Sequence, residues 1–275
     1  MRLHRLFDLY FEEDCPYIDE TCEFLEIEGS GRMEILSREP GIAACTEDLG
    51  EYLTCKGLKV HYIRSGEQFE PGRIFLAEGD LKKLFAYWRV SQTFLSITCA
   101  IATKTRELVE KARSVNPNVL VATTRKTHPG MRYFELKAVI AGGGAVHRNS
   151  LSDSILVTPN HLRVLGVEVG KVEAAVEAIR SLRKKCMRHV EIEPNKEDVE
   201  RYAEYADLLL LDHYSPEELE TLVPRLKAAN PGLKVAIAGN VGENVADYAK
   251  YADVIVTSAP YYAKPLDLTC RIERV

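Results

Sequence analysis

The sequence predicts an α/β protein in two parts, and three observations carry the prediction. Residues 1 to about 80 mix helical and alternating segments. A long helical stretch follows, from about Leu81 to Ser114. Beyond Pro117 short apolar runs and helical segments alternate regularly, the pattern of repeated βα units.

The first element, "LHRLFDLYFEED", spaces its apolar residues at helical intervals and reads as an amphipathic helix. "RMEILSRE" and "LKVHYI" alternate and read as strands. Between them "TEDLGEYLTCKG" reads as a helix, with Thr46 as its N-cap and Gly57 beyond its end. The long helix is expected to carry a loose break near Thr98. Further on, "NVLVATT", "SILVT", "HVEIE", "LLLLD", "KVAIAG" and "DVIVTS" are near-continuous apolar strands, as in a parallel sheet covered on both faces. The helical segments between them include "VGKVEAAVEAIRSLRKK", "SPEELETLVPRLKAAN" and "GENVADYAKYA". Ser215 with Glu218 forms a capping box at the start of the second of these, and Gly232 follows its end. About six such units fit a small α/β barrel, with a doubly wound open sheet as the alternative.

Composition narrows the function classes. With 275 residues, 46% of them hydrophobic, the chain can bury one large core or two modest ones. A net charge of −5 and a pI near 5.9 argue against a nucleic-acid protein. No apolar run reaches the length of a membrane span and the first residues lack a signal-peptide core, so a cytoplasmic location is expected and no membrane partner. Seven cysteines (15, 22, 45, 55, 99, 186 and 270) without a CxxC pair exclude a disulfide framework or zinc site as the expectation. Cys45 and Cys99, in small apolar contexts, read as packing residues.

On this acidic chain the run "TTRKTHPGMRYFELKAVIAGGGAVHR" gathers Arg125, Lys126, His128, Arg132, Lys137, His147 and Arg148, interrupted only by Glu135. It is either a solvated basic face or a pocket for a small anion. "GGG" here lacks the spacing of a dinucleotide fingerprint. Ligands of parallel α/β folds sit at the carboxyl ends of strands, so polar residues there are informative. Arg125 and Lys126 end one strand. Glu191 and Glu193 share a face of another by the two-residue period. Asp212, followed by His213, ends a run of four leucines and would be costly in a core without a partner. Gly239, Asn240 and Gly242 lead into a helix, as a plain turn or as a phosphate cradle. Thr257 and Ser258 end the last βα strand. His128 and His161 read as structural or supporting. Cations of this kind neutralise carboxylates or phosphates, and the acids would hold Mg²⁺ or sugar hydroxyls, a combination that a phosphoribosyl donor requires.

"TRKTHPGMR", "GGGAVHR", "LSD" and "NH", in this order, resemble the quinolinate phosphoribosyltransferase (nicotinate-nucleotide pyrophosphorylase) family. The likeness extends to "EDCPYIDET", "REPGIAA", "WRVSQTFLSITCAIATKT", "VEIE" and "LLLLD". The ending "VTSAPYYAKPLDLTCRI" is closer to its ModD-type pyrophosphorylase branch. The resemblance implies an N-terminal open-faced α/β sandwich over residues 1–115, joined by a returning C-terminal strand over 266–275. It implies an incomplete α/β barrel over residues 116–265. Transfer of phosphoribose from phosphoribosyl pyrophosphate (PRPP) to quinolinate or a related aromatic acid is then expected, with Mg²⁺ as cofactor. Arg125, His147 and Arg148 match positions that bind the acid, and Lys126 matches a lysine near the donor. Glu193 and Asp212 match the acids around ribose and Mg²⁺, acting with Lys126 as the catalytic set. Gly239, Asn240 and Ser258 match phosphate-binding positions. A homodimer, or a multiple of dimers, is implied, with Arg89 completing the partner's pocket.

The departures are local. Where the family has a lysine reaching both substrates this chain has Thr158, followed by Pro159, and its "SGG" turn reads "AGN" here. The lost cation weakens the case for a doubly charged acceptor. It also raises two other expectations: an anion-binding regulatory protein linked to molybdenum, with little turnover, or a barrel enzyme for another sugar phosphate.

Overall fold

The computed structural model describes residues 2–167, 172–185 and 189–275. Cys186 and the beginning of the helical stretch expected from Val169 lie outside them. In chain order the elements begin with α1 (Arg2–Asp14), α2 (Glu20–Phe24), β1 (Ser30–Ser37), β2 (Gly41–Ile42), α3 (Thr46–Cys55), β3 (Lys59–Tyr62), β4 (Gln68–Phe69) and β5 (Gly72–Asp80). Next come α4 (Leu81–Arg113), β6 (Leu120–Thr123), α5 (Arg132–Ala141), β7 (Ala145–Val146), β8 (Ile155–Val157), α6 (Pro159–Val164), α7 (Glu173–Lys185) and β9 (Val190–Ile192). The remainder are α8 (Val199–Tyr202), β10 (Leu208–Asp212), α9 (Pro216–Ala229), β11 (Lys234–Ala238), α10 (Val245–Ala249), β12 (Val254–Thr257) and β13 (Leu268–Arg274). Two compact units result. One comprises Met1–Glu107, Thr127–Gly144 and Pro260–Val275; the other comprises Leu108–Lys126 and Ala145–Ala259.

The first unit is built on an antiparallel sheet in the order β13-β1-β5-β3. Along β1 the buried Met33 and Ile35 alternate with Arg32 and Glu34, so one face is dry and the other wet. The dry face belongs to an aromatic-rich core, in which Phe7 of α1 packs on Tyr52 of α3, Phe94 of α4 and Phe134 of α5. The wet face carries cross-strand ion pairs, Arg32–Glu273 at 2.9 Å and Arg73–Glu34 at 2.7 Å. A sheet covered on one side only is an open-faced sandwich. Strand β13 pairs with β1 from Gly31↔Arg274 to Ser37↔Leu268, bringing residues far apart in sequence into one ladder.

Two local expectations fail here. Thr46 is not the N-cap of α3: Cys45 takes that place in a left-handed conformation (φ 58°). The fully buried Thr46 hydroxyl donates instead to the Ile63 carbonyl at 2.7 Å. Nor does α4 break near Thr98. The Thr98 hydroxyl lies 2.9 Å from the Phe94 carbonyl, four residues back, and Thr103 and Thr105 make the same bond at 2.7 Å. Back-bonding of this kind satisfies the hydroxyls inside the helix, and β-branched residues do not interrupt it.

The second unit is a parallel sheet in the order β7-β6-β12-β11-β10-β9-β8. Neighbours follow chain order from β8 to β12, and β12 then pairs with β6, the first strand of the set. That pairing of first and last strand is the closure of a barrel and is foreign to a doubly wound sheet. Among the described residues nothing pairs β7 with β8, so the ring is open there. Leu209 and Leu211 of β10 join the large core between strands and helices. Leu210 joins a smaller cluster with Ala236, Ala238 and Val256, the barrel interior. By the two-residue period, Asp212 and Ser258 continue the inward rows of Leu210 and Val256. Seen outwardly, α9 starts at its capping box, with the Ser215 amide donating to Glu218 Oε2 at 2.6 Å.

Candidate active site

The cationic run from Thr123 to Arg148 divides between the units, and the division decides which charges are available. In the first unit Lys137 pairs with the buried Asp48 at 2.6 Å. The ring of His128 lies 2.6 Å from the fully buried Glu135, and Arg132 donates to Thr127. These three are occupied. Gly142 sits where a Cβ would come within 2.4 Å of the Ala102 carbonyl, so the triple glycine permits close packing and ends α5. In the second unit Arg125, Lys126 and Arg148 have no side-chain hydrogen bond or ion pair among the described residues.

Those free cations share their unit with the acids Glu191, Glu193 and Asp212. Glu193, just past the end of β9, has its carboxyl pushed above the ordinary range. Burial is the first cause, and the charges of Asp212 and Glu191 add to it, while Lys126 and Arg148 pull the other way. Four other charged residues of the second unit are therefore within electrostatic reach of Glu193. Glu191 itself is buried, and its Oε1 lies 2.7 Å from His147 Nε2, each side chain being 11% exposed. The backbone of His147 is held by β6, its amide donating to the Thr123 carbonyl at 3.2 Å.

The loops after β10 and β11 lock together. Asp212 is half-buried, and His213 beside it adopts φ 60°, its amide donating to the Ala238 carbonyl at 3.1 Å. Gly239 (φ 81°) and Asn240 (φ 56°) are consecutive left-handed residues. A Cβ at Gly239 would lie 2.5 Å from the His213 nitrogen and 2.8 Å from Asp212 Oδ1, so only glycine fits against the acid. Turns of this kind aim successive N–H groups at an anion. Ser258 Oγ lies 2.6 Å from Thr124 Oγ1, which also accepts the Lys126 amide at 3.2 Å, tying the ends of β12 and β6 together.

Arg125, Lys126, His147, Arg148, Glu193, Asp212, Gly239, Asn240 and Ser258 thus all belong to the second unit, at or just past the ends of its strands. Arg89 belongs to the first unit: it is exposed on α4, stacked on Trp88 with 4.7 Å to the ring centroid. His161 is structural, its Nδ1 accepting from the Thr158 amide at 3.0 Å beside the Thr158 hydroxyl at 2.7 Å. Thr158 is therefore committed to the start of α6. Sequence reasoning gave Glu191 a face but no task; its partnership with His147 joins elements 44 residues apart and leaves no local pattern. Thr124 was hidden in the same way.

The chain is similar to proteins of one family over most of its length. Residues 101–271 match the family described as quinolinate phosphoribosyl transferase, C-terminal domain, and residues 19–99 match its N-terminal domain. A protein of Pasteurella multocida named putative pyrophosphorylase ModD is 33% identical over 78% of this chain and 76% of its own length. A protein of Archaeoglobus fulgidus named probable nicotinate-nucleotide pyrophosphorylase (carboxylating) is 37% identical over 84% of this chain and 88% of its own. In fold, the nicotinate-nucleotide pyrophosphorylase structure from Ehrlichia chaffeensis superposes with a TM-score of 0.86 at 24% identity, covering 98% of both chains. Two domain matches spanning nearly the whole chain, and relatives alike over most of their length, establish that the chain belongs to the quinolinate phosphoribosyl transferase family.

Proposed function

We propose that this chain, a phosphoribosyltransferase of the quinolinate type, moves phosphoribose from PRPP to the ring nitrogen of quinolinate or a closely related aromatic acid. The carrying observation is that Arg125, Lys126 and Arg148, without an ion pair among the described residues, share a unit with Glu193, an acid whose carboxyl burial, Asp212 and Glu191 push up. Charges of both signs kept apart at strand ends are prepared for a ligand with both needs. Arg125 and Arg148 would take acceptor carboxylates bidentately. Lys126, Ser258 and the Gly239–Asn240 turn would take donor phosphates. In the reaction the bond from ribose C1 to pyrophosphate breaks and its electron pair leaves with pyrophosphate. The ring nitrogen supplies the pair for the new C1–N bond. With a carboxylate beside that nitrogen, CO₂ departs afterwards and the ring takes a proton in its place. No protein nucleophile is needed, so the side chains act by positioning and charge.

Mg²⁺ fits the acids: Glu193 and Asp212 are oxygen donors that repel one another, as a hard cation would relieve. No set of three or more His, Cys, Asp and Glu side chains is arranged for a metal among the described residues. When bound it would offset charge on the leaving pyrophosphate. The commitment of Thr158 to α6 favours the second reading, anion binding with little turnover.

Pyrophosphate release from PRPP, measured over quinolinate, nicotinate and other pyridine acids, tests the reading. Release with at least one acid is expected, and PRPP binding without release from any would leave the second reading standing. Arg125→Ala and Arg148→Ala should each weaken the reacting acid by tenfold or more, since a charged hydrogen bond contributes roughly 1.5–3 kcal/mol. Unchanged affinity in both variants would put the acceptor elsewhere. We also propose that the protein is a dimer in which Arg89 serves the partner's pocket, and that it works in the cytoplasm. Among the described residues no helix is long and apolar enough to cross a membrane.

A further inference from the structure

We infer that Glu191 is a positioning residue for the acceptor subsite, holding the His147 imidazole by Nε2 so that Nδ1 is the nitrogen the acceptor meets. The inference rests on the reading above that Arg125, His147 and Arg148 receive the acid. His147 follows β7, a two-residue strand at the open edge of the barrel that is laddered only to β6. Its main chain is thus held from one side. Among the described residues, only the 2.7 Å contact to Glu191 fixes its ring. Glu191 is well placed to do so, because it sits in the middle of β9 between the fully buried Val190 and Ile192, where its own backbone cannot shift. A carboxylate only accepts, so the contact requires the proton on Nε2. Nδ1, without a partner among the described residues, is then the free nitrogen.

The same strand separates two tasks. Glu191 and Glu193 lie on one face, yet the first is consumed by His147 and the second has no side-chain partner among the described residues. Arg148, next to His147 in sequence, is within reach of Glu193. One carboxylate is therefore committed to His147, and its neighbour two residues on is left for a ligand.

The test combines ring ¹⁵N NMR of the full chain with calorimetry, using quinolinate and PRPP with Mg²⁺ as separate probes. His147 should be protonated at Nε2 in the wild type, and His147→Asn identifies its signals. Glu191→Leu should scramble the tautomer and weaken quinolinate about tenfold, leaving PRPP affinity within about twofold. Glu191→Gln, whose amide oxygen still accepts, should restore most of the loss and also serves if the leucine variant does not fold. In a His147→Ala background neither substitution should cost more. Equal loss for both ligands, losses that add to His147→Ala, or a wild-type ring protonated at Nδ1 would each overturn the role. If the wild type binds PRPP and not quinolinate, the acceptor reading fails, and the tautomers of wild type and Glu191→Leu still decide what Glu191 does.

Discussion

Glu193 shows how a single side chain can set function against stability. Its carboxyl is harder to ionise in the folded chain than in water, because it is partly buried and faces Asp212 and Glu191. Below the ordinary glutamate range, near 4.5, it is neutral in both states and has no effect. As pH rises through that value and then through the raised folded one, the native state loses stability relative to the unfolded chain. Glu193→Gln should therefore raise the melting temperature at pH 7 in chelator, with the gain vanishing below about pH 4.5, while turnover is lost. A variant equally stable or less stable at pH 7 would mean that the charge is compensated. At this scale the sequence was legible where a residue type is costly in its place: Asp212 after four leucines stood out. It was silent on which of seven clustered cations were spoken for, because Asp48 and Glu135, which occupy two of them, show no sign in sequence of being aimed inward.

At the scale of elements, apolar patterning missed α5 but located the other helices of ten or more residues and all but one barrel strand, since it reports directly which face is buried. The exception, β7, is two residues long and has no period to read. The threonines of α4 misled because their back-bonding is invisible in propensity. Between elements, distance decides. At Gly142, alanine would favour the end of α5 by about 1 kcal/mol through propensity. The added Cβ would also press within 2.4 Å of the Ala102 carbonyl and 2.6 Å of Thr105 Cβ on α4. Overpacking typically costs about 1–3 kcal/mol, so the contact should win. Gly142→Ala is expected to lower the melting temperature; a rise would show that α5 can back away from α4 without cost.

For the molecule as a whole, the proposed sharing of Arg89 gives a test of assembly. Arg89→Ala and Lys126→Ala proteins should each be inactive as homodimers. Unfolded and refolded together, equal amounts should assort into hybrids with one intact pocket, returning about a quarter of wild-type activity. Hybrids seen by native mass spectrometry with no activity would confine Arg89 to its own subunit or to no site.

The pairing of β1 with β13 reaches into the life history of the chain. Ser30–Ser37 leaves the ribosome more than two hundred residues ahead of the partner for one of its edges, Leu268–Arg274. Until then that edge has β5 on one side and unpaired amides on the other. Contacts so distant in sequence close slowly, and an unfinished edge invites pairing with another nascent chain. Translation speed and chaperone supply should therefore govern the yield of soluble protein through the first unit, whose sheet is finished last, whereas β8 to β12 of the barrel follow one another in order and can zip as they appear, with β6 and β7 joining when β12 does.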